Sequence, residues 1–219
     1  MRVGLISDIH ANRIALDAVL EDMPPVDHLV CAGDVVGYNP WPAECVEIVR
    51  ECEIPMVMGN HDRAVASDTA FRFNAMAKAG VEHSRRELSD DQLEWLAGLP
   101  EERTVLDGNV KIVHGHPDDP DHYTYPEEFS PELLDGEELL VLGHTHVQAH
   151  ATYEEGIVCN PGAVGQPRDG DSRGAYAIVD LDRMEVEERR VEYDIEKVVE
   201  TVEAAGLPKR IGTRLRKGQ

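Results

Sequence analysis

The side chains best suited to chemistry recur in five short groups: Asp8-Ile9-His10, Gly33-Asp34, Gly59-Asn60-His61-Asp62, His114-Gly115-His116 and Gly143-His144-Thr145-His146. Six of the ten histidines fall in them, so the imidazoles are concentrated rather than scattered. Carboxylate, imidazole and amide oxygen suit hard-to-borderline divalent ions such as manganese, iron, nickel or zinc. No cysteine joins the groups, which argues against a structural zinc site. The carboxylates and imidazoles exceed the needs of one ion. Two ions about 3.5–4 Å apart, bridged by an Asp, suit phosphoester cleavage. Such a pair makes hydroxide from water at neutral pH and neutralises charge gathering on the phosphoryl oxygens. Each group alone has an ordinary alternative. Asp8 could be a helix-entry cap, Gly33-Asp34 a turn, the Asn60 group an Asx-stabilised loop, and the His144 group a turn facing solvent. All five standing at the ends of predicted strands is harder to explain that way.

Those strands can be placed. Residues 3–7 form a short apolar run ending in Asp8, and helical spacing follows at Ile14, Ala15, Ala18 and Val19, with Asn12 as the cap. A strand over 29–31 meets the Gly33-Asp34 turn. A helix over 42–52 leads to a strand over 54–58 that stops at Gly59-Asn60. This alternation predicts an α/β fold. Residues 69–99 read as helical, with a capping box from Ser89 to Gln92. Strands over 110–113 and 139–142 end at His114 and Gly143-His144. Residues 175–180 and 184–193 form a late hairpin, and 195–205 a helix. In an open α/β sheet, ligands bind beyond the carboxyl ends of the strands. Five strand ends on one edge would bring the polar groups together.

Composition bounds the rest. A chain of 219 residues with 42% hydrophobic content has enough apolar material for a core, and one domain over 1–219 is the simplest organisation. No apolar run approaches the ~18 residues needed to span a bilayer. The first residues lack a signal peptide's cleavage region, so the expected compartment is the cytoplasm. The 43 acids against 21 bases give a net charge of −22, which disfavours stable nucleic-acid binding and membrane docking. Sixteen of the bases are Arg and five are Lys, a balance resembling that of salt-adapted proteins. Cys31, Cys45, Cys52 and Cys159 read as buried, reduced thiols. Residues 117–138 carry nine acids and no Lys or Arg, the pattern of a solvated loop. Residues 209–219 carry five bases and no acid, the pattern of a solvated tail or a short terminal helix. The functional alternative for that segment is local attraction of an anionic substrate.

In type, order and spacing the five groups resemble the five blocks of the calcineurin-like metallophosphoesterase superfamily, over about residues 8–180. Within it, residues 33–38 and 160–170 resemble the small prokaryotic phosphodiesterases of the YfcE type. The resemblance implies a two-sheet β-sandwich flanked by helices. It implies one divalent ion held by Asp8, His10, Asp34 and His146, and a second by Asp34, Asn60, His114 and His144, with Asp34 bridging. A hydroxide bridging the metals would be the nucleophile. Manganese is the first expectation, with iron, nickel or zinc also suited. His61 would protonate the leaving group or steady the phosphate, Asp62 would orient His61, and His116 would lie in an outer shell. Asn12 and Arg168 are candidate substrate contacts, since a guanidinium takes two phosphate oxygens at once. Arg13 reads as a solvated helix residue, and Tyr38 as either a stacking or a packing group. The chain lacks large insertions, which implies a fairly open site and a small phosphoester, a phosphodiester first. The alternatives are a phosphomonoesterase, a nucleotide-polyphosphate hydrolase, or a non-catalytic scaffold like the retromer subunit that lacks the catalytic histidine. Relatives in this subgroup are often dimeric, which leaves a homo-oligomer open.

Overall fold

Strand β1 (Arg2–Ile6) is nearly all apolar and buried on both faces, as a strand between two covered layers must be. The protein, here a computed structural model, is described over residues 1–69 and 73–219. β1 pairs in parallel with β2 (His28–Cys31) and antiparallel with β8 (Gly174–Asp180), and β8 pairs with β9 (Glu185–Val191). The first sheet thus has the order β2-β1-β8-β9. The second contains β3 (Glu102–Val105), β4 (Val110–Val113), β5 (Leu139–Val141), β6 (Ala149–Thr152) and β7 (Ile157–Asn160), in the order β3-β4-β5-β7-β6.

The sheets pack face to face. Val3, Leu5 and Val30 of the first share one buried cluster with Val110, Ile112, Leu139, Val141 and Ile157 of the second. Burying each such side chain contributes about 1.5–3 kcal/mol. On the other face of the first sheet, Ile6, Cys31 and Tyr176 meet α1 (Arg13–Asp22), α2 (Pro42–Glu51), α3 (Asn60–Ser67), α4 (Ala75–Glu87) and α5 (Asp90–Ala97). α6 (Ile195–Ala204) and α7 (Arg210–Thr213) close a smaller cluster in which Val198, Ile211 and Leu215 pack with Tyr38. Two mixed sheets flanked by seven helices among the described residues are the architecture the resemblance implies. Asn12 caps α1 through Ala15 N–H, and Ser89 and Gln92 form the predicted capping box.

Several expectations are corrected. The polar groups do not follow five strands of one sheet: they follow β1 and β2 of the first sheet and β4 and β5 of the second. Residues 54–58 make only a single bridge, Met56 to Cys31, because Pro55 has no N–H to give a ladder. Asn60 opens a helix rather than a loop. The acidic segment is not simply solvated, since Phe129, Leu133 and Leu134 pack over Val113, Leu140 and Val158. Of the two forms expected for the basic terminal segment, the short helix is the one observed, but it is not solvated throughout: Ile211 within it and Leu215 in the 3₁₀ turn that follows are fully buried. Cys52 is exposed, unlike the other three free thiols. Residues 70–72 of the predicted helical stretch lie outside the described residues. Among the described residues, no helix is long and apolar enough to cross a membrane.

Candidate metal centre

Asp8, His10, Asp34, His144 and His146 all have positive φ, between 47° and 69°. Non-glycine residues rarely adopt this left-handed region, at a cost of roughly 1–3 kcal/mol each, and they persist only where the surroundings over-determine them. Here the loops hold one another. Asp8 N–H donates to Gly33 O at 3.0 Å, His10 N–H to Asp34 O at 2.9 Å, Gly143 N–H to His114 O at 2.9 Å and Gly165 N–H to Asp8 O at 3.0 Å. The loops from both sheets can approach this closely because Gly33, at φ +97°, has no Cβ. One would stand 2.9 Å from both Gly59 N and His114 Nδ1.

At the meeting point, Nε2 of His10 and Nε2 of His146 lie 3.2 Å apart. Asp8 Oδ1 is 3.2 Å from the His146 nitrogen and 3.7 Å from that of His10. Asp34 Oδ2 is 3.6 Å from His10 Nε2 and 3.4 Å from His114 Nε2, and Asn60 Oδ1 is 3.2 Å from the same His114 nitrogen. The far nitrogens are tied back. Nδ1 of His10, His114 and His146 donate to the carbonyls of Val36, Ala32 and Gln166 at 3.1, 2.7 and 2.6 Å. This fixes the tautomer, so each Nε2 turns a lone pair inward. Meanwhile Asp8 Oδ1 and Asp34 Oδ2 are buried with no hydrogen-bond donor. Lone pairs converging on ionised oxygens without protons between them form a cation-shaped site. The donor set, hard oxygen with borderline nitrogen, fits divalent transition ions. His10 belongs to two of the ligand clusters, Asp8-His10-His146 and His10-Asp34-His61, and Asp34 links the second to Asp8-Asp34-His114.

The electrostatics agree. Burial pushes the carboxyls of Asp8 and Asp34 upward, but the surrounding imidazoles outweigh it and hold both below the ordinary carboxylate range. Burial holds His10 well below its ordinary value, brings His61 down to about 4 and His144 down to about 3. At His114 burial pulls downward as well, but the negative charge of Asp34 beside it outweighs this and raises the imidazole to about 9.

His144 contributes differently. Its Nε2 meets the Asp121 carbonyl at 3.3 Å, which leaves Nδ1 as the nitrogen free of that bond. Tyr123 stacks on its ring at 3.8 Å. His61 sits beside the cluster, with its ring 4.7 Å from those of both His10 and Tyr38 and its buried Nδ1 without a partner. Asp62 does not meet the His61 ring. Its carboxylate accepts the N–H groups of Asp34, Val35, Val36 and Gly59 at 2.8–3.2 Å and so anchors the Asp34 loop. Asn12 is likewise spent on structure: Oδ1 caps α1 and Nδ2 donates to Gly165 O at 3.0 Å. Arg168 donates to Gln166 Oε1 at 2.9 Å and to Tyr38 Oη at 3.4 Å. His116 lies outside the cluster, accepting Asp118 N–H at 3.1 Å. Sequence reasoning missed Asp121, Tyr123 and Arg63, which with Asn60, His144 and Phe73 line a cavity of about 420 Å³. The two tyrosines of the acidic segment, Tyr123 and Tyr125, were the available signal, because a merely solvated loop has no need of aromatic rings.

Comparison with known proteins follows the same lines. Residues 1–184 match the calcineurin-like phosphoesterase superfamily domain. An uncharacterised protein of Methanocaldococcus jannaschii is 32% identical, over 97% of this chain and 96% of that one. A metallophosphoesterase from Sphaerobacter thermophilus superposes with a TM-score of 0.86 at 36% identity, covering 100% of this chain and 99% of that one. YfcE, a phosphoesterase from E. coli, shares the fold with a TM-score of 0.53 at 23% identity, over 88% and 100% of the two chains. A site of this donor chemistry, on this fold and with these relatives, places the chain in the calcineurin-like phosphoesterase superfamily.

Proposed function

We propose that the protein hydrolyses small phosphodiesters with two divalent ions. The observation that carries the reading is the pair of buried, donorless oxygens, Asp8 Oδ1 and Asp34 Oδ2, among three inward-turned imidazole nitrogens. Asp8, His10, Asp34 and His146 would hold one ion, and Asp34, Asn60, His114 and His144 the other. The ions, when bound, supply Lewis acidity toward the phosphoryl oxygens and an activated water.

The chain's own residues do the rest. Asn60 binds through a neutral amide and so adds no charge that would quench that acidity. Asp34 answers both ions with one carboxylate and limits their repulsion. His61 groups with His10 and Asp34, but in the two ligand sets proposed above it binds neither ion, so it is free to carry the proton that the departing alkoxide requires. Burial keeps its ring neutral in the free protein, and the negative charge of a bound phosphoryl group favours its protonation. Asp62 serves by holding the Asp34 loop. Arg168, beside Tyr38, is a guanidinium placed to bind an anionic part of the substrate. The cavity of about 420 Å³ between His144, Tyr123 and Phe73 is of a size for the organic arm of a small ester.

Hydrolysis of bis-p-nitrophenyl phosphate after loading with manganese, read together with metal content, tests the reading. Two ions per chain and metal-dependent turnover are expected. His61→Ala should keep both ions and lose about 10²–10⁴-fold in turnover, the usual range for general acid–base catalysis. A fully active His61→Ala variant would remove the proton-carrying role. No turnover with any of manganese, iron, nickel or zinc would favour the scaffold instead.

A further inference from the structure

Three arginines within residues 168–216 of this acid-rich chain stand without an Asp or Glu partner among the described residues. Around them, Arg173 pairs with Asp171, Arg190 with Asp169, and Arg216 with Glu196. Arg168, Arg210 and Arg214, by contrast, pair with no Asp or Glu side chain among the described residues, although the chain offers 43 acids. A guanidinium that forgoes a carboxylate where carboxylates are plentiful is available to another anion.

Two of the three are brought together by the fold. The 3₁₀ turn over Arg214–Lys217 follows α7 and places Leu215 and Ile211 in the same buried cluster as Tyr38. Its far end is pinned to the Arg168 loop, where Gly170 N–H donates to Gly218 O at 3.0 Å. Arg168 also lies 5.9 Å from the Tyr38 ring centre and donates to its hydroxyl. Tyr38 itself touches the rings of His10 and His61 edge-on and tilted, at 4.8 and 4.7 Å. One aromatic ring therefore separates the candidate metal centre from a basic ledge. Gln166 Oε1 holds the Arg168 guanidinium in place, and Arg214 donates through Nε to the main-chain oxygen of Gln219, which leaves its two NH₂ groups for an anion. Arg214 loses some of its basicity, first to burial and next to the charge of Arg168, as expected of two like charges sharing a space.

We propose that Arg168 and Arg214 form a subsite for a second phosphate, so that the preferred substrates are phosphodiesters whose organic arm carries a further phosphate group near the scissile one. This deepens the function proposed above and rests on it for the position of the scissile phosphate. The short terminal helix is then part of the specificity apparatus, its buried apolar side fastening Arg214 beside Tyr38.

The test compares binding of AMP and of the hydrolysis-resistant α,β-methylene analogue of ADP to manganese-loaded protein by calorimetry. The analogue should bind about tenfold or more tightly than AMP, since a charge-assisted guanidinium–phosphate contact is worth about 1.5–3 kcal/mol. Arg214→Gln and Arg168→Gln should each bring that ratio below about threefold. Arg214→Lys should recover part of it, and Arg216→Gln, whose arginine is paired with Glu196, should leave it unchanged. Equal affinity for the two nucleotides in the unaltered protein, or binding of neither, overturns the subsite. So does a ratio that survives Arg214→Gln. A ratio that collapses as expected in a protein that hydrolyses no phosphoester leaves the subsite standing and overturns the catalytic reading instead.

Discussion

Replacing Asp34 by Asn separates its charge from its shape. The amide keeps an oxygen for the His61 N–H, which Asp34 Oδ1 accepts at 2.8 Å, but it cannot offer two ions a shared negative ligand. Metal analysis of Asp34→Asn should therefore find fewer than two ions per chain, with turnover falling alongside. Retention of both ions would remove the bridging role. Asp62→Asn should behave differently. It turns an NH₂ group toward two of the four buried N–H donors and should cost about 2–6 kcal/mol of folding stability, at about 1–3 kcal/mol for each unsatisfied group. Urea unfolding reads this directly, and a loss under about 1 kcal/mol would contradict the anchoring role. The contrast marks how far residue types alone can speak. A cluster of Asp, His and Asn names its own chemistry, so the eight polar groups around the centre were legible in the chain. Whether a given carboxylate faces an ion or a row of backbone N–H groups was not, because the same oxygens do both. Asp62 and Asn12 were assigned to chemistry for that reason, and the fold uses them to hold loops.

Two sheets, not one, bring the centre together. Loops after β1 and β2 meet loops after β4 and β5 across the sandwich, and the approach depends on positions without side chains. Gly59 is one such position. Its φ of −81° is open to any residue, yet a Cβ there would lie 2.0 Å from Asp34 Oδ1 and 2.5 Å from Asp34 N. Gly59→Ala should therefore push the Asp34 loop away through packing alone. We expect a loss of about 1–3 kcal/mol in stability together with weaker metal binding. Normal metal content in a normally stable Gly59→Ala protein would mean that the loop has room to shift. Element by element, the long amphipathic helices and the apolar strands were readable from spacing, since burial of one face dictates it. β3, β6 and β7 were not. Four-residue strands such as Ala149–Thr152, exposed on alternate residues, carry too little pattern, and their pairing is settled by neighbours distant in the chain. The terminal helix was similarly obscured, because five bases hide two buried apolar residues.

At the scale of the molecule, the charge of −22 and the metal centre obey different rules. The acid excess lies mainly on the surface, where exposed pairs such as Arg13–Asp17 and Arg183–Glu185 cannot neutralise it, because 21 bases stand against 43 acids. Repulsion among exposed charges is long-ranged in dilute buffer and shrinks with the Debye length, from about 10 Å at 0.1 M to about 3 Å at 1 M salt. The centre is different: Asp8, His10, Asp34 and His114 are at most 1% exposed, and buried charges are screened by salt much less than exposed ones. Stability should therefore depend on salt while metal stoichiometry should not. For a chain of this length 1 kcal/mol shifts the melting temperature by about 2–4 °C, so relieving even a few kcal/mol of self-repulsion should raise Tm by about 5 °C or more between 0.05 and 1 M potassium chloride. Metal content over the same range should stay constant. A flat Tm would show that the surface charges already offset one another, and salt adaptation would then lose its support in the composition. A metal content that falls with salt would show that ions of the solvent do enter the centre, against the burial on which its assignment rests.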